Sequence, residues 1–498
     1  MASSIKKGAV ISYVSIFLNI AISLVYTPWM IHKIGVSDYG LYSLVSAFLG
    51  YFMLDFGLSG TITRFVAKYR AEGSFDKVEN MLGLTAKVYF VIDAIIFLVL
   101  FILYFFLAGI FGGLTIEEIE KLKVLYCIAA VFSVLSFLFK PVSGAMMAYE
   151  FFVENKLLDM LVRVGTVIFI VIMLLFNGNV YHLVFITGFV GFSASLLRYI
   201  VFVRKSKLNI NWNFFEKAEL LGLFSFSVWV LVIQLSQMFR LSLIPTVLGI
   251  CSNTTEISVF SVGRNLEGMV FNISAALNGL FLPTVSRMVQ TKDRKSILDL
   301  MIKVGRIQLY IILLIFTGFA AFGELFINLW VGEAFHTSYY VFLLLVFVNI
   351  ISLTLQIGMD MVYAENKIKH MAKRVLVSSL IGLVLSIIVA PKYGALGCAA
   401  ATGMALALTQ LLYIDFYQRK MGLDMKMFFS QCHLKIVPPV AAYAAVGVIA
   451  SHYLNINSWF LLLLSIAIYS LGFGVLVWFF LASDYEKNMV LGFLKKIK

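Results

Sequence analysis

Apolar runs of about 20 residues or more follow one another almost without pause along this chain, and each is long enough to cross the hydrocarbon core of a bilayer. That feature leaves little choice of fold. A backbone inside hydrocarbon has to satisfy its own hydrogen bonds, and a continuous apolar run does so as a helix. Composition agrees: 61% of the 498 residues are hydrophobic, 13% are charged, and the mean hydropathy is +0.96. Soluble domains carry about 25% charged residues. The expected class is an all-α polytopic membrane protein. The first run, 8–32, is longer than a signal-peptide core, and no small-x-small cleavage pattern follows it.

Counting runs and breaks predicts about 14 transmembrane helices. Six fall at 8–32, 40–66, 81–110, 122–148, 155–177 and 181–203, and six more at 220–249, 257–286, 300–323, 338–364, 374–390 and 396–417. Two extra C-terminal helices, 435–454 and 459–482, precede a short tail. The first twelve read as two pseudo-symmetric six-helix lobes. ENKLLDMLVR at Glu154–Arg163 returns as ENKIKHMAKR at Glu365–Arg374, 211 residues later, and each copy opens a long apolar run. The expected division is 1–204, 205–420 and 421–498.

Charge lies in the gaps. Alternate gaps, with both termini, hold about 26 of the 39 Lys and Arg, and the opposite gaps hold Lys33, Lys121, Lys123 and Lys392. This asymmetry predicts cytosolic N and C termini, and it explains the net charge of +13 without a nucleic acid partner. The longest gaps run to about 16–18 residues, too short for an extramembrane catalytic domain, so no enzyme of that kind is expected. The four cysteines form no CxxC pair and the six histidines show no metal spacing, so neither disulfide nor metal is expected. In the tail, Met489, Val490, Phe493, Leu494 and Ile497 share a helical face largely free of Lys495, Lys496 and Lys498, the pattern of an amphipathic helix lying on anionic lipid. Pro28 and Pro245 lie in the outer thirds of the first helix of each lobe, where a bend would suit rocking lobes.

Charges inside the spans are costly and mark cavities or partners. At about 1.5 Å of rise per residue, Asp55 and Asp93 sit near the midplane. Each is either a proton carrier or a partner for Lys or Arg on a neighbouring helix. Lys87, Lys140 and Arg163 lie in the cytosolic half of the first lobe, Arg163 the deepest; all three are candidate substrate-binding cations, with snorkelling the alternative for Lys87 and Lys140. Arg64, Lys303 and Arg306 lie nearer the cytosolic edge and are expected only to snorkel. Arg240 and Arg264 lie in the outer half of the second lobe. Arg264 has Glu267 three residues on, close enough to pair. Arg240 has no acid at three or four residues, which makes it the sharpest candidate. More cations than anions suits an anionic head group, since guanidinium forks match phosphate oxygens.

Several stretches carry a family resemblance. They are the opening KKGAVISYVSIFLNIAISLVYTPWMIHKIGVSDYGLYSLVSAFLGYFMLDFGLSGTITRFVAKY, LGICSNTTEISVFSVGRNL in the second lobe, and PKYGALGCAAATG at Pro391–Gly403. They resemble Wzx-type polysaccharide flippases of the multidrug/oligosaccharidyl-lipid/polysaccharide exporter superfamily, over nearly the whole chain. The resemblance implies two six-helix lobes around a central cavity, and alternating access. It implies movement of an undecaprenyl-pyrophosphate-linked oligosaccharide, an O-antigen or capsule repeat unit, from the cytosolic to the outer leaflet of a bacterial inner membrane. It implies an ion gradient as driving force, with no cofactor, since no phosphate-binding glycine loop is present. It carries a substrate-binding role over to Arg240, Arg264 and Arg163, and makes a polysaccharide polymerase and chain-length regulator candidate partners. Many relatives have an acid near the position of Arg240, so a fixed coupling acid is not expected there. A lipid II flippase or a multidrug exporter of the same superfamily would share the fold. The excess of cations counts against an exporter of cationic drugs.

Overall fold

A computed structural model describes residues 2–497 except 53, 209, 276–280 and 455. The described residues are helical, with turns between helices and no strand among them. Eight helices come first: α1 (Ala2–Ile34), α2 (Val36–Phe52), α3 (Leu58–Ala71), α4 (Phe75–Ile110), α5 (Ile116–Phe137), α6 (Lys140–Ala148), α7 (Phe152–Leu175) and α8 (Val180–Ser206). Then follow α9 (Lys217–Gln237), α10 (Ile244–Cys251), α11 (Thr254–Ala275), α12 (Leu282–Gln290), α13 (Arg294–Trp330), α14 (His336–Thr354), α15 (Gln356–Ala364) and α16 (Ile368–Arg419). The chain ends with α17 (Met425–Gln431), α18 (His433–Tyr453), α19 (Trp459–Leu476) and α20 (Asp484–Ile497).

Among the described residues, ten helical stretches are long and apolar enough to cross a membrane. One of them, α16, is two spans in series. Gly394 breaks it with φ 51° and ψ −135°, where the sequence predicts a gap between 390 and 396. The predicted span 40–66 is divided too, into α2 and α3, by left-handed Phe56 (φ 53°) and Gly57 (φ 71°). The chain is thus an all-α, multi-pass membrane protein.

Local sequence sets where helices start. The Thr115 hydroxyl accepts the Glu118 N–H while the Glu118 carboxylate accepts the Thr115 N–H, a reciprocal cap at the start of α5. Asp293, Asp424 and Ser458 cap α13, α17 and α19 with single side-chain acceptors. The two prolines differ. The helix α1 runs through Pro28, whereas Pro245 follows a π-helical turn, Met238–Ser242, that separates α9 from α10. A proline lacks the N–H that would continue the ladder, and the wider turn accommodates it.

The contacts divide the chain into two compact units. One comprises Met1–Ser261 with Lys369–Ala405, the other Val262–Ile368 with Leu406–Lys498. In the first, α1 packs on α7, α5 on α8, α3 on α6 and α4 on α5. In the second, α13 is the central helix, packed on α14, α18 and α19, while α12 packs on α15. Tyr469 of α19 stacks edge-on against Phe322 of α13 within its buried core.

The internal duplication is visible in the turns. Left-handed residues recur in pairs: Gly73 and Lys292, Glu150 and Asn366, Asn177 and Gly394, Lys207 and Gly422. The separations are 219, 216, 217 and 215 residues. The nine-residue helices α6 and α15 stand 216 residues apart, and α3 on α6 and α4 on α5 match α12 on α15 and α13 on α14. The register is therefore about 217 residues rather than the 211 of the ENK letter match. Glu154 lies in the first turn of α7 and pairs with Lys205, whereas Glu365 lies in the turn before α16 and pairs with Arg294 and Lys367. The similar letters occupy different places in the two halves.

Candidate functional site

The break between α2 and α3 places a helix N-terminus inside a predicted span, with Asp55 at its mouth. Asp55 Oδ1 accepts the Ser59 N–H at 3.1 Å, the Ser59 hydroxyl at 2.8 Å and the Tyr89 hydroxyl at 2.8 Å. An acid at a helix N-terminus also meets the positive end of the helix dipole. Lys140, at the start of α6, lies within electrostatic reach of Asp55 and of Arg198 on α8. Arg198 donates to Asp159 of α7 at 2.5 Å, and Lys156 stands 3.6 Å from the same carboxylate. Arg198 and Asp159 thus pair α8 with α7, and the charge of Lys140 lies near both that pair and Asp55 before α3. Arg198 was not among the residues singled out from sequence. Its position 39 residues from Asp159 hides the pair from any local rule of helical spacing.

Asp93 differs from Asp55. It lies on α4, one turn beyond Tyr89, and is 5% exposed. Its Oδ1 is buried and receives no hydrogen bond. A buried carboxylate oxygen without a donor is costly, and such groups concentrate where protons or ligands are handled.

The cations fall into different settings. Lys87 donates to the Phe214 carbonyl at 3.1 Å, which ties the segment after α8 to α4. Arg163 is exposed on α7. Arg264 pairs with Glu267 on α11, and the other oxygen of Glu267 accepts the Asn349 amide of α14 at 2.5 Å. The pairing expected from the three-residue spacing is therefore present, with a third member that spacing did not indicate. Arg240 is half-buried in the π-helical turn. Thr402 donates to its carbonyl at 3.3 Å, and Tyr51 donates to the Ser242 carbonyl in the same turn at 2.7 Å. Side chains thus satisfy backbone oxygens where the ladder is irregular, and the turn is held in a defined shape.

Arg306 departs from expectation. It does not snorkel: it is 9% exposed and binds Glu486 through Nε at 2.7 Å and Nη2 at 3.1 Å. It also donates to the carbonyls of Gln431 and Leu481 at 3.0 and 2.7 Å. The start of α20 is clamped to α13 in this way. The side chains of Met489, Val490, Phe493, Leu494, Ile497, Lys495, Lys496 and Lys498, on which the expectation of a lipid-facing tail rests, lie outside those described. The four cysteines are unpaired, and among the described residues no three His, Cys, Asp or Glu cluster as metal ligands.

The described residues thus combine a broken span, an irregular turn and charges placed within the membrane-spanning helices of a duplicated chain. The sequence matches the family described as "Polysaccharide biosynthesis protein" over residues 5–289, more than half of the chain, and the protein belongs to that family. The fold is similar to that of the lipid II flippase MurJ in an inward closed conformation, with a TM-score of 0.70 and 15% identity over 95% of this chain and 98% of that one. It is also similar to an inward-facing MATE-family multidrug resistance transporter of the MOP superfamily, at 0.65 and 12% over 83% and 98%. A MOP superfamily transporter from Pyrococcus furiosus, whose description reports a binding pocket of reversed polarity, matches at 0.57 and 12% over 84% and 96%. No curated protein matches the sequence. The resemblance read from the opening stretch and Pro391–Gly403 thus holds at the level of family and fold.

Proposed function

We propose that the protein flips an undecaprenyl-pyrophosphate-linked oligosaccharide from the cytosolic to the outer leaflet of a bacterial cytoplasmic membrane, for O-antigen or capsule synthesis. Family membership over residues 5–289 carries this reading, and the MurJ-like fold supports it. Residues 1–204 rock against 205–420 under an ion gradient, with both termini cytosolic, as the distribution of Lys and Arg indicates.

Arg240 contacts the pyrophosphate in passage. Its turn is irregular and held by Thr402 and Tyr51, which presents the guanidinium from a fixed backbone. Arg163 and Lys140 supply further positive charge, and Lys87 and Arg264 are held by the Phe214 carbonyl and Glu267. Asp93 carries the coupling proton in preference to Asp55, because Asp55 already holds three donors on one oxygen. The second reading, a lipid II-type substrate, is favoured by the MurJ likeness and shares the polyprenyl pyrophosphate.

Depletion of the protein in its host tests the reading. Lipid-linked oligosaccharide should accumulate, and its sugar should stay protected from a glycosidase added outside. Unchanged surface polysaccharide with no accumulated lipid-linked sugar contradicts it. Accumulation of a peptide-bearing lipid instead selects the second reading.

A further inference from the structure

One cluster lies apart from these charges, at the end of the first unit where α2, α5, α10 and α11 meet. The Glu118 carboxylate gathers hydroxyls from two other helices. Ser37 of α2 donates to its Oε1 at 2.7 Å, and Thr254 of α11 donates to the same oxygen at 2.6 Å. The Thr115 N–H holds Oε2 at 2.9 Å, so the carboxylate is fixed in place by the cap of its own helix. Beside it the Ser258 hydroxyl donates to the Val36 carbonyl at 2.6 Å.

The backbones meet as closely as the side chains. A Cβ at Gly40 would stand 2.3 Å from the Thr254 carbonyl oxygen, and one at Gly113 would stand 2.4 Å from that of Ser252. Only glycine permits these approaches. On α11, the Glu256 carboxylate accepts the Ala395 N–H at 2.6 Å, which adds the bend of α16 to the cluster. Nearby charges do not replace Glu118: Lys121 is taken up by Asp38 and Glu117, at 3.3 Å from each.

Every residue named here lies at the end of its span opposite the Lys- and Arg-rich gaps. Ser37, Gly40, Gly113 and Glu118 belong to 1–204, and Ser252, Thr254 and Ser258 to 205–420. If these segments rock, the bonds among them have to break each time the outer end opens.

We propose that Glu118 is the latch of an outer gate, a single carboxylate that holds Ser37 of α2 and Thr254 of α11 together and keeps the outer end shut. This inference rests on the rocking reading above, but its test needs no substrate. The gate is polar rather than greasy. Hydroxyl-to-carboxylate bonds exchange readily with water, so the seal closes with fixed geometry and still releases.

Native Cys251, at the end of α10 beside Ser252, is the reporter. Cys127, Cys398 and Cys432 are replaced by alanine, and the purified full chain in nanodiscs is labelled with a water-soluble maleimide. A second protein carries Asn213→Cys, an exposed site at the other end of the bundle, in place of Cys251 as control. Glu118→Ala should speed labelling of Cys251 several-fold and leave the control rate unchanged. Thr254→Val, which keeps shape and loses the hydroxyl, should give a smaller increase in the same direction and serves if Glu118→Ala fails to accumulate. Unchanged Cys251 labelling in the variants, or an equal rise at the control site, overturns the latch. Neither result bears on whether the protein flips a lipid.

Discussion

The two units treat intramembrane charge differently. In the second unit the described charges form compact pairs: Arg306 with Glu486, Arg264 with Glu267 and Asn349, and, in the turn before α16, Glu365 with Arg294 and Lys367. In the first unit it is spread. Arg198 pairs with Asp159, Lys140 lies within electrostatic reach of Asp55 and Arg198, and Asp93 keeps a buried oxygen with no donor. Removing one partner of a closed buried pair is costly, whereas incomplete ones are available to a proton or a ligand. We propose that the charges of the second unit serve stability and that Asp93 and Arg240, both in the first unit, serve transport.

Breaking the tightest closed pair should have the largest effect. Glu486→Ala leaves Arg306 buried and uncompensated, at a cost of about 3–5 kcal/mol, read as a large drop in the thermal midpoint in detergent and in protein level. Arg306→Met with Glu486→Leu should recover much of that loss. A Glu486→Ala protein as stable as the parent would remove the contrast. Next comes Glu267→Ala, which strands the Asn349 amide and a partly exposed Arg264, at about 1–3 kcal/mol in the same assay.

Asp93→Asn sharpens the comparison from the other side. It should leave stability within about 1 kcal/mol of the parent or raise it, because it replaces a carboxyl whose buried oxygen has no donor, yet abolish gradient-driven transport. Asp55→Asn should do the reverse, costing about 1–2 kcal/mol through Ser59 and Tyr89 while a residual gradient response survives. Transport that persists in Asp93→Asn places the carrier elsewhere.

The smallest effect is one of pH. Burial raises the Glu365 carboxyl, but hydrogen bonds from Lys367 and Arg294 outweigh it, and the group sits below its usual range. A depressed folded-state pKa contributes stability above the unfolded value and loses it as pH falls through the folded one. Thermal midpoints should therefore hold from pH 7 to pH 5, and fall below about pH 4 less steeply in Glu365→Gln than in the parent.

Much of this was legible in the sequence because hydropathy and helix length are local. The apolar runs define the spans, the break near 391–395 is present at Gly394, and the three-residue spacing of Arg264 and Glu267 marks a pair. The duplication was also legible, but its register was set by letters rather than by turns. Left-handed positions such as Glu150 and Asn366 carry the register, and they are filled by different residues in the two halves. What stayed hidden depends on partners far along the chain. Arg306 looks like a residue that snorkels until Glu486, 180 residues away, is seen beside it. Residue counting puts Asp55 and Asp93 at a similar depth, and the contacts of Asp55 with Ser59 and Tyr89 tell them apart.

The central claim is that this bundle moves a lipid-linked anionic head group. The direct measurement reconstitutes the full chain in liposomes holding both a fluorescent undecaprenyl-pyrophosphate oligosaccharide and a cationic dye, under an imposed proton gradient. The account predicts that the labelled lipid changes leaflet and the dye stays put. It predicts further that Arg240→Ala loses flipping while inserting normally, and that Arg240→Lys restores only part of it, since an ammonium keeps the charge without the two-pronged fork. Dye export with no movement of the lipid, or full flipping by a well-inserted Arg240→Ala protein, would contradict it.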